Sequence, residues 1–481
     1  MKPRTAALLL AVTLLGGLAA VGKNNPAGLE ELTRIGLRAP NPPADVSVAP
    51  HESAASSALA PGLPATVSNL SLQKQTISYP AYSPAGSQIG TTSWRVVRGS
   101  GNCCENHLAA AASGRLVDFG GTYLVYSDDQ GSTWKRVAPA EPFVGGEGTI
   151  SVAPGGDIVG IAWDVYSGDR VVAFKMDGAT GQWSYMYTAL HGPGFDRPWL
   201  SIIPGPHTIA GQTVPYISLI EGGVLRPSNT HYVSLDGLHY VAVTTSTSGT
   251  VSRWLDSSPV AQADWIQPIT ESGVTPLNGG GAIAYPVYSG SPGWKAFDPA
   301  SLSWKPFTLG DGSSMPPGHL AMDSRGWAHL ISLGEGNVTY RLSKDGGRTW
   351  TSITSTLPPN HAIENWDFRV NGALGITAVG LHTHNSGTDK DRDLILKYAT
   401  MCGQPELTRL YQVGNGDLNA SAGLGASVRF DFATTVILAD GRIATSLIDA
   451  AHTAPALAVE IDTALTPGYT PPLLSCGVPA P

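Results

Sequence analysis

The sequence is poor in charged residues and has no run of lysine or arginine. Only 14% of its 481 residues are charged, and the formal net charge is −8. Proteins that bind nucleic acid or an anionic membrane surface carry a clustered basic patch or stripe. The composition therefore argues against nucleic acid and against anionic membrane surfaces as partners.

Long apolar runs are also missing, except at the N-terminus. Lys2 and Arg4 precede an apolar run over residues 6–21, and residues 20–22 supply small side chains for cleavage. This pattern is typical of a secretory signal peptide, and the run is shorter than the roughly 20 residues of a membrane span. No cysteine follows the run, which argues against a lipoprotein anchor. We therefore expect a secreted or cell-surface protein that has no membrane span once residues 1–22 are removed.

Sustained helical periodicity is absent after this segment. The chain instead contains 57 glycines, 37 prolines and 12 tryptophans, and short apolar runs alternate with turn residues. Glycine and proline together stay below the roughly 25–30% that is typical of low-complexity chains. The composition predicts an all-β protein with many turns and a large core. Residues 23–90 are rich in Ala, Pro and Ser, which indicates a linker or pro-segment.

Two segments of the chain fit the same pattern, Ser-x-Asp-x-Gly-x-x-Trp. Each follows a short apolar strand and precedes another strand, so we interpret both as hairpin turns. In such a turn the Asp carboxylate accepts backbone N–H bonds, Gly supplies a left-handed backbone position, and Trp packs as an apolar plug. The pattern residues are Ser127, Asp129, Gly131 and Trp134, and then Ser343, Asp345, Gly347 and Trp350.

This turn resembles the Asp-box, or BNR repeat, of the sialidase superfamily. The segment Phe195-Asp196-Arg197-Pro198-Trp199-Leu200 is also similar to one that recurs at inner strands of bacterial sialidase-like propellers. The resemblance implies a β-propeller in which the Asp-boxes are structural and lie on the face away from the ligand site. True sialidases use a Tyr nucleophile and three arginines, and the Arg-Ile-Pro segment of that family has no match here.

Looser copies of the turn reveal a period. Their acidic residues are Asp177, Asp236, Asp298 and Asp462, and the spacing from Asp129 to Asp345 is 48, 59, 62 and 47 residues. Repeats of this length with four strands each are blades of a propeller. We predict four-stranded antiparallel blades over residues 91–470, seven in number with six as the alternative, followed by a tail at 471–481. We expect a monomer.

The chain contains four cysteines, and an exported protein commonly pairs them. Cys402 lies in the outer turn of the sixth repeat and Cys476 lies in the tail, so we predict a disulfide between them. Cys103 and Cys104 would then form a vicinal disulfide or stay free. Pairing of each with a distant cysteine is the alternative.

Carboxylates, arginines and aromatic residues recur where the inner strands of the blades begin, which is where side chains surround the channel mouth. The candidate catalytic residues are Asp196, Glu364, Asp367 and Glu147. The candidate ligand-binding residues are Arg197, Arg369, Arg429, Glu105, His107, Asp264, His319, Trp366 and Tyr166. Because charges at strand ends are commonly solvated loop ions, a structural role is the competing interpretation for each one.

This residue set suits a glycan or glycoconjugate, since carboxylates and Arg bond sugar hydroxyls or acidic groups while aromatic rings stack on sugar faces. The sequence leaves three functions open: a sialidase-like glycoside hydrolase, a non-catalytic glycan- or protein-binding propeller, and a cell-envelope component. It indicates no certain cofactor. Oxygen ligands favour Ca²⁺ over a transition metal, because His382 and His384 are the only local histidine pair.

Overall fold

The computed structural model describes residues 61–98, 107–119, 124–141, 145–164, 170–189, 199–209, 212–221, 230–244, 284–287, 293–298, 303–307, 319–323, 325, 327–345, 349–359, 361–385, 390–413, 434–449 and 454–480. Apart from one 3-10 turn at Pro154–Gly156, the regular structure in these ranges is β-strand, which confirms the all-β prediction. No helix within them is long and apolar enough to cross a membrane. The predicted signal peptide and residues 23–60 lie outside them.

The described chain begins with four strands that precede the repeating sheets. They are β1 Leu63–Pro64, β2 Thr66–Leu70, β3 Gln73–Tyr82 and β4 Gln88–Arg98.

Antiparallel sheet units follow, each formed by strands that are consecutive in the chain. Unit 1 contains β5 His107–Ala110, β6 Leu116–Phe119, β7 Leu124–Ser127 and β8 Trp134–Ala138. Unit 2 contains β9 Gly145–Val152, β10 Ile158–Asp164, β11 Arg170–Met176 and β12 Trp183–Ala189. Unit 3 contains β13 Trp199–Ile209, β14 Gln212–Glu221, β15 Thr230–Ser234 and β16 Val241–Thr244.

The later units repeat this arrangement. Unit 4 contains β17 Ala284–Val287, β18 Gly293–Asp298 and β19 Ser303–Phe307. Unit 5 contains β20 His319–Met322, β21 Ala328–Gly334, β22 Asn337–Ser343 and β23 Thr351–Thr356. Unit 6 contains β24 His361–Asn371, β25 Ile376–Asn385, β26 Lys390–Ala399 and β27 Glu406–Val413. Unit 7 contains β28 Thr435–Ile437, β29 Ile443–Asp449 and β30 Ala454–Leu465.

The first strand of each unit, here called its inner strand, faces a common centre. Inner strand β5 contacts both β9 and β28, β9 contacts β13, and β24 contacts β20 and β28. Unit 7 takes its fourth strand from the start of the chain, because β4 pairs with β30 along its length. This closure of first and last segments is how a propeller ring avoids an open sheet edge. The fold is therefore a β-propeller. The number of blades stays a prediction, since residues 245–283 lie outside the described ranges.

The N-terminal strands form a strap around the outside of the ring. Strand β1 pairs with β12 of unit 2, β2 pairs with β8 of unit 1, and β3 pairs with both β4 and β27 of unit 6. The sequence predicted a linker over residues 23–90, but residues 61–90 form β1, β2, β3 and the start of β4. The segment was difficult to recognise because only its inward residues Tyr79 and Ala81 are buried in β3, so its apolar alternation is short.

Apolar cores lie between neighbouring sheets. Phe119 and Tyr126 of unit 1 pack with Phe174 and Trp183 of unit 2, and the rings of Tyr126 and Trp183 are 5.6 Å apart. Full burial of one such large apolar side chain contributes about 1.5–3 kcal/mol. The cores between the sheets thus hold the ring together.

The two predicted turns form the same hydrogen-bond network. Asp129 accepts bonds from the Thr133 backbone N–H (2.6 Å), the Thr133 hydroxyl (2.8 Å) and the Ser127 hydroxyl (2.8 Å). The Asp345 turn repeats this geometry with Thr349 and Ser343 at 2.7–2.9 Å. Gly131 has the expected positive φ of 85°. The predicted role of the Asp carboxylate is therefore confirmed in both turns and that of the glycine in the Asp129 turn, while membership of the sialidase superfamily stays a prediction.

The looser copies differ among themselves. Asp236 accepts bonds from the Ser234 hydroxyl (2.9 Å) and the His239 ring (2.6 Å), so His239 takes the place that Thr holds in the full turns. Burial alone would raise the pKa of Asp236, but the His239 and backbone N–H bonds lower it to about 2. The expectation for Asp462 was wrong: it lies within β30 opposite Ser93, because β4 extends this strand beyond the ordinary blade length.

The predicted disulfide is confirmed. Cys402 and Cys476 are bonded, with their Cα atoms 5.3 Å apart, which lies within the normal range for a disulfide. The tail is also held by Glu406, whose carboxylate accepts bonds from the Ser475 backbone N–H (2.9 Å) and hydroxyl. The bond therefore fastens the C-terminal tail to unit 6. Cys103 and Cys104 lie outside the described residues.

Candidate functional site

The predicted site residues fall into three groups. Those outside the described ranges are Glu105, Tyr166, Asp196, Arg197, Asp264 and Arg429. Those for which only a strand position is described are Glu147 in β9, His319 in β20 and Glu364 in β24. Those with described surroundings are His107, Trp366, Asp367 and Arg369. A ligand role for all of them stays a prediction, and the last group can be examined in detail.

A repeated hydrogen bond joins successive inner strands around the centre. In each case a side chain of one inner strand, or of the residue just before it, accepts a backbone N–H from the inner strand of the next unit. The bonds run from Thr435 to Asp367 Oδ2 (3.0 Å), from Leu108 to Thr434 Oγ1 (3.1 Å), from Ile150 to His107 Nδ1 (3.2 Å), and from Leu200 to Thr149 Oγ1 (2.9 Å). An inner strand is a sheet edge whose outward N–H groups need partners. We call these four acceptors the inner belt.

The belt gives two predicted site residues a structural role. His107 is buried, and its Nδ1 must lack a proton to accept the Ile150 N–H. Asp367 is only 2% exposed and bridges unit 6 to unit 7. These contacts match the structural interpretation that the sequence left open for every charged residue.

Trp366 lies on the other side of the same strand. It is buried, and its ring stacks on Phe368 at 6.1 Å within the core between units 5 and 6. Successive residues of a strand point to opposite faces, so the side chains of Trp366 and Asp367 diverge. The described surroundings of Trp366 therefore indicate packing.

Asp367 and Arg369 form a buried ion pair on β24. Arg369 Nη1 donates to Asp367 Oδ1 at 2.7 Å and to the Phe368 carbonyl at 3.3 Å. Burial raises the pKa of Asp367 to about 6, although the Arg369 charge and the Thr435 N–H act in the opposite direction. The carboxylate is thus costly to ionise even beside a guanidinium.

A cavity of about 570 Å³ lies between the inner strands. Its walls come from the inner strands and first hairpins of units 1 and 2, from Leu200 of unit 3, and from units 6 and 7. Most wall residues are small, and exposed Ala112, Ser113 and Gly155 mark the hairpin end. Because neighbouring strands are antiparallel, these first hairpins lie at the same end as the Asp129 turn. The cavity therefore extends toward the end of the ring that carries the Asp129 turn, whereas the sequence placed the site at the opposite mouth.

The ionisable groups on the described wall of this cavity are His107, Arg115 and Arg369. Arg115 donates to Asp128 at 2.6 Å, and its guanidinium lies over the Tyr126 ring at 4.6 Å. Arg115 and Asn371 were not among the site residues that the sequence predicted. The available signal was their position after an inner strand, because the first hairpins of units 1, 2, 6 and 7 contribute to the cavity wall.

A second buried polar cluster resembles an acid–base chain but has no access to solvent. His329 contacts Asp323 through Nε2 (3.0 Å) and Tyr340 through Nδ1 (2.6 Å), and Tyr340 contacts Thr377 at 2.8 Å. Burial lowers the pKa of His329, so the ring is neutral, donates to Asp323 and accepts from Tyr340. His329 and Tyr340 are fully buried, so the cluster is shielded from solvent. Its Tyr340–Thr377 bond joins unit 5 to unit 6.

Metal ligands are not grouped in the described part of the chain, where no set of three His, Cys, Asp or Glu residues could hold an ion. His382 is buried and contacts Asp393 at 2.8 Å. His382 therefore has a carboxylate partner, whereas the sequence analysis considered it as a ligand for a transition metal.

Comparisons with known proteins give no family. No family model matches the sequence, and no curated protein matches it. Solved structures with some similarity include a virginiamycin B lyase from Staphylococcus aureus, with 10% identity, a TM-score of 0.36, and coverage of 82% of this chain and 99% of that one. They also include the polysaccharide lyase Uly1 (11%, 0.34, covering 81% and 95%) and an ancestral GH74 enzyme (12%, 0.37, covering 80% and 53%). Since these TM-scores are below 0.5, no activity is transferred from them.

Proposed function

We propose that this chain is an exported β-propeller that binds a glycan or glycoconjugate in its central cavity without cleaving it. The observation that carries the proposal is the cavity between the inner strands, which is open to solvent at one end and has a volume of about 570 Å³. Ligand pockets typically measure roughly 300–1,000 Å³. The Cys402–Cys476 disulfide supports export, because disulfides persist in oxidising compartments.

The chemistry of the wall suits sugar hydroxyls. Arg115, Arg369 and Asn371 place polar side chains around a lining of alanine and glycine, and inner-strand edges add backbone groups. Sugars present many hydroxyls that both donate and accept, so they match a wall with mixed polar groups. The small side chains leave room for a sugar ring.

Hydrolysis is the second candidate, and one observation favours it. Asp367 has a pKa raised to about 6, as expected of a general acid near neutral pH. Against it, both Asp367 oxygens accept bonds from Arg369 and Thr435, and the side chain is almost fully buried. We therefore place binding first, and we keep Asp196, Glu147 and Glu364 as the candidate carboxylates of a hydrolase.

The test is a glycan-array screen of the secreted protein and an Ala112→Trp variant, in which a bulky ring is added at the exposed hairpin end of the cavity. Ala85→Trp is the matched control, because Ala85 is equally exposed in the turn after β3, outside the cavity wall. We expect glycan binding by wild type and Ala85→Trp, and its loss in Ala112→Trp. Equal binding by all three proteins would place the site elsewhere.

A parallel assay separates binding from hydrolysis. Sialosides and other glycosides are incubated with wild type and with Glu364→Ala, and released sugar is measured. We expect no turnover by either protein. Turnover by wild type that is lost in a folded Glu364→Ala variant would instead support the sialidase-like candidate.

A further inference from the structure

Two guanidinium groups and no carboxylate line the described wall of the cavity. The chain has a net charge of −8, yet the wall contains Arg115 and Arg369, each paired with a carboxylate that is not itself part of the wall, and no aspartate or glutamate. We infer that the ligand of this cavity carries an anionic group that pairs with Arg369, and that Asp367 takes up a proton when that group binds. This inference rests on the proposed function and adds the ligand's charge and its regulation by pH.

Arg369 is the centre of this inference because it belongs both to the wall and to a buried ion pair. Its Nη1 lies 2.7 Å from Asp367 Oδ1, and Asp367 itself is behind the wall, bonded to the backbone of unit 7. A planar guanidinium recognises carboxylate or sulfate groups through paired N–H donors. Arg115, on the unit 1 side, is the second guanidinium of the wall and is paired with Asp128 at 2.6 Å.

Asp367 competes with such a ligand for the same positive charge. Two anions beside one guanidinium in a poorly solvated site cannot both stay ionised without cost, so the weaker acid is protonated. The pKa of Asp367 is high, chiefly because the side chain is buried, so Asp367 is the group that is protonated. The proton comes from solvent, and the carboxyl group keeps its place in the inner belt as a neutral acid. Binding is therefore coupled to uptake of one proton above this pKa.

Other titratable groups near Asp367 define the controls. On the adjacent strands, His382 of β25 contacts Asp393 of β26 at 2.8 Å. The facing residues of unit 7 are Thr434 and Thr435, which do not titrate in this range. Across the cavity, His107 accepts a hydrogen bond from the Ile150 N–H. His107 is the only one of these histidines on the cavity wall, so a variant must separate its proton from that of Asp367.

The experiment is calorimetric titration of the whole secreted protein with cellobiouronic acid and with cellobiose, which differ in one carboxylate. We expect the acid to bind at least tenfold more tightly than cellobiose at pH 5.0. If only the form with protonated Asp367 binds, affinity for the acid falls roughly 30-fold between pH 5.0 and 7.5, for a pKa of about 6. Titration at pH 7.5 in two buffers of different ionisation enthalpy should show uptake of close to one proton.

Four variants show which group takes up the proton and which charge binds the ligand. Asp367→Asn should bind the acid with little pH dependence, Asp393→Asn should keep the pH dependence, and Arg369→Gln should lose the preference for the acid. If Asp367→Asn does not fold, proton uptake that is retained by a folded His107→Gln variant assigns the proton to Asp367, and uptake that is lost in this variant overturns the inference. Loss of the pH dependence in His107→Gln with its retention in Asp367→Asn would overturn the inference.

Two further outcomes separate a failure of this inference from a failure of the proposed function. Equal, pH-independent binding of both disaccharides would overturn the anionic ligand while leaving glycan binding in the cavity intact. Binding of neither disaccharide at either pH, together with an array on which Ala112→Trp has no effect, would overturn the proposed function and this inference together.

Discussion

Replacement of Thr434 by valine tests the inner belt directly. Thr434 is fully buried, and its hydroxyl accepts the Leu108 N–H at 3.1 Å, which joins unit 7 to unit 1 where the ring closes. Valine keeps the branched shape but leaves that N–H without its acceptor and also removes the Thr434 side-chain hydrogen bond to Asp367. An unpaired buried N–H costs about 1–3 kcal/mol, so we expect the free energy of unfolding to fall by about 2 kcal/mol.

The expected change in melting temperature is small but measurable. At about 2.1 cal/mol/K per residue over the roughly 290 residues that the structure describes, the unfolding entropy is near 0.6 kcal/mol/K, and about 2 kcal/mol lowers Tm by about 3 °C. Hydrogen exchange of the 107–110 strand gives a local measurement, since the Leu108 amide should exchange faster.

Two controls make this result specific. Thr434→Ser keeps the hydroxyl and should retain most of the stability. Thr339→Val removes an exposed side-chain bond to Thr354 at 3.0 Å and should change stability by less than about 0.5 kcal/mol. If Thr434→Val matched wild type in both stability and Leu108 exchange, the inner belt would have no energetic role.

Further predictions concern the turns and the tail. Asp129→Ala should cost about 1–3 kcal/mol, because turn N–H groups lose their acceptor, while glycan binding per folded molecule is unchanged; full stability with lost binding would contradict this. Asp236 has a folded pKa of about 2, below its ordinary 3.8, so it should add about 2 kcal/mol above pH 4 that is lost as pH falls toward 2. Acid unfolding that is unchanged in Asp236→Asn would contradict the low pKa. Cys476→Ser should lower stability by about 2–4 kcal/mol, and a non-reducing peptide map should link Cys402 only to Cys476.

Residue types predicted the Asp129 and Asp345 turns and the disulfide well. Ser, Asp, Gly and Trp at fixed offsets determine the Asp129 turn because each bond in it is local, and Thr133 lies only four residues from Asp129. Cys402 and Cys476 were paired correctly because the repeat period placed one in the outer turn of a blade and the other in the tail.

Contacts between residues that are far apart in the chain could not be predicted from the sequence. The β1–β3 strap depends on edges supplied by β8 and β12, so its own residues need little apolar content. The inner belt uses His, Thr and Asp at equivalent positions, and no common residue type reveals it. Arg115 and Arg369 lie far apart in the chain and reach one cavity only when the ring closes.

A crystal structure of the protein with a glycan selected from the array tests the central claim most directly. We expect the sugar between the inner strands, in contact with Arg369 and with the first hairpins of units 1 and 2. A sugar bound at the opposite mouth, beside Asp196 and Glu364, with the cavity between the inner strands free of ligand, would contradict the account.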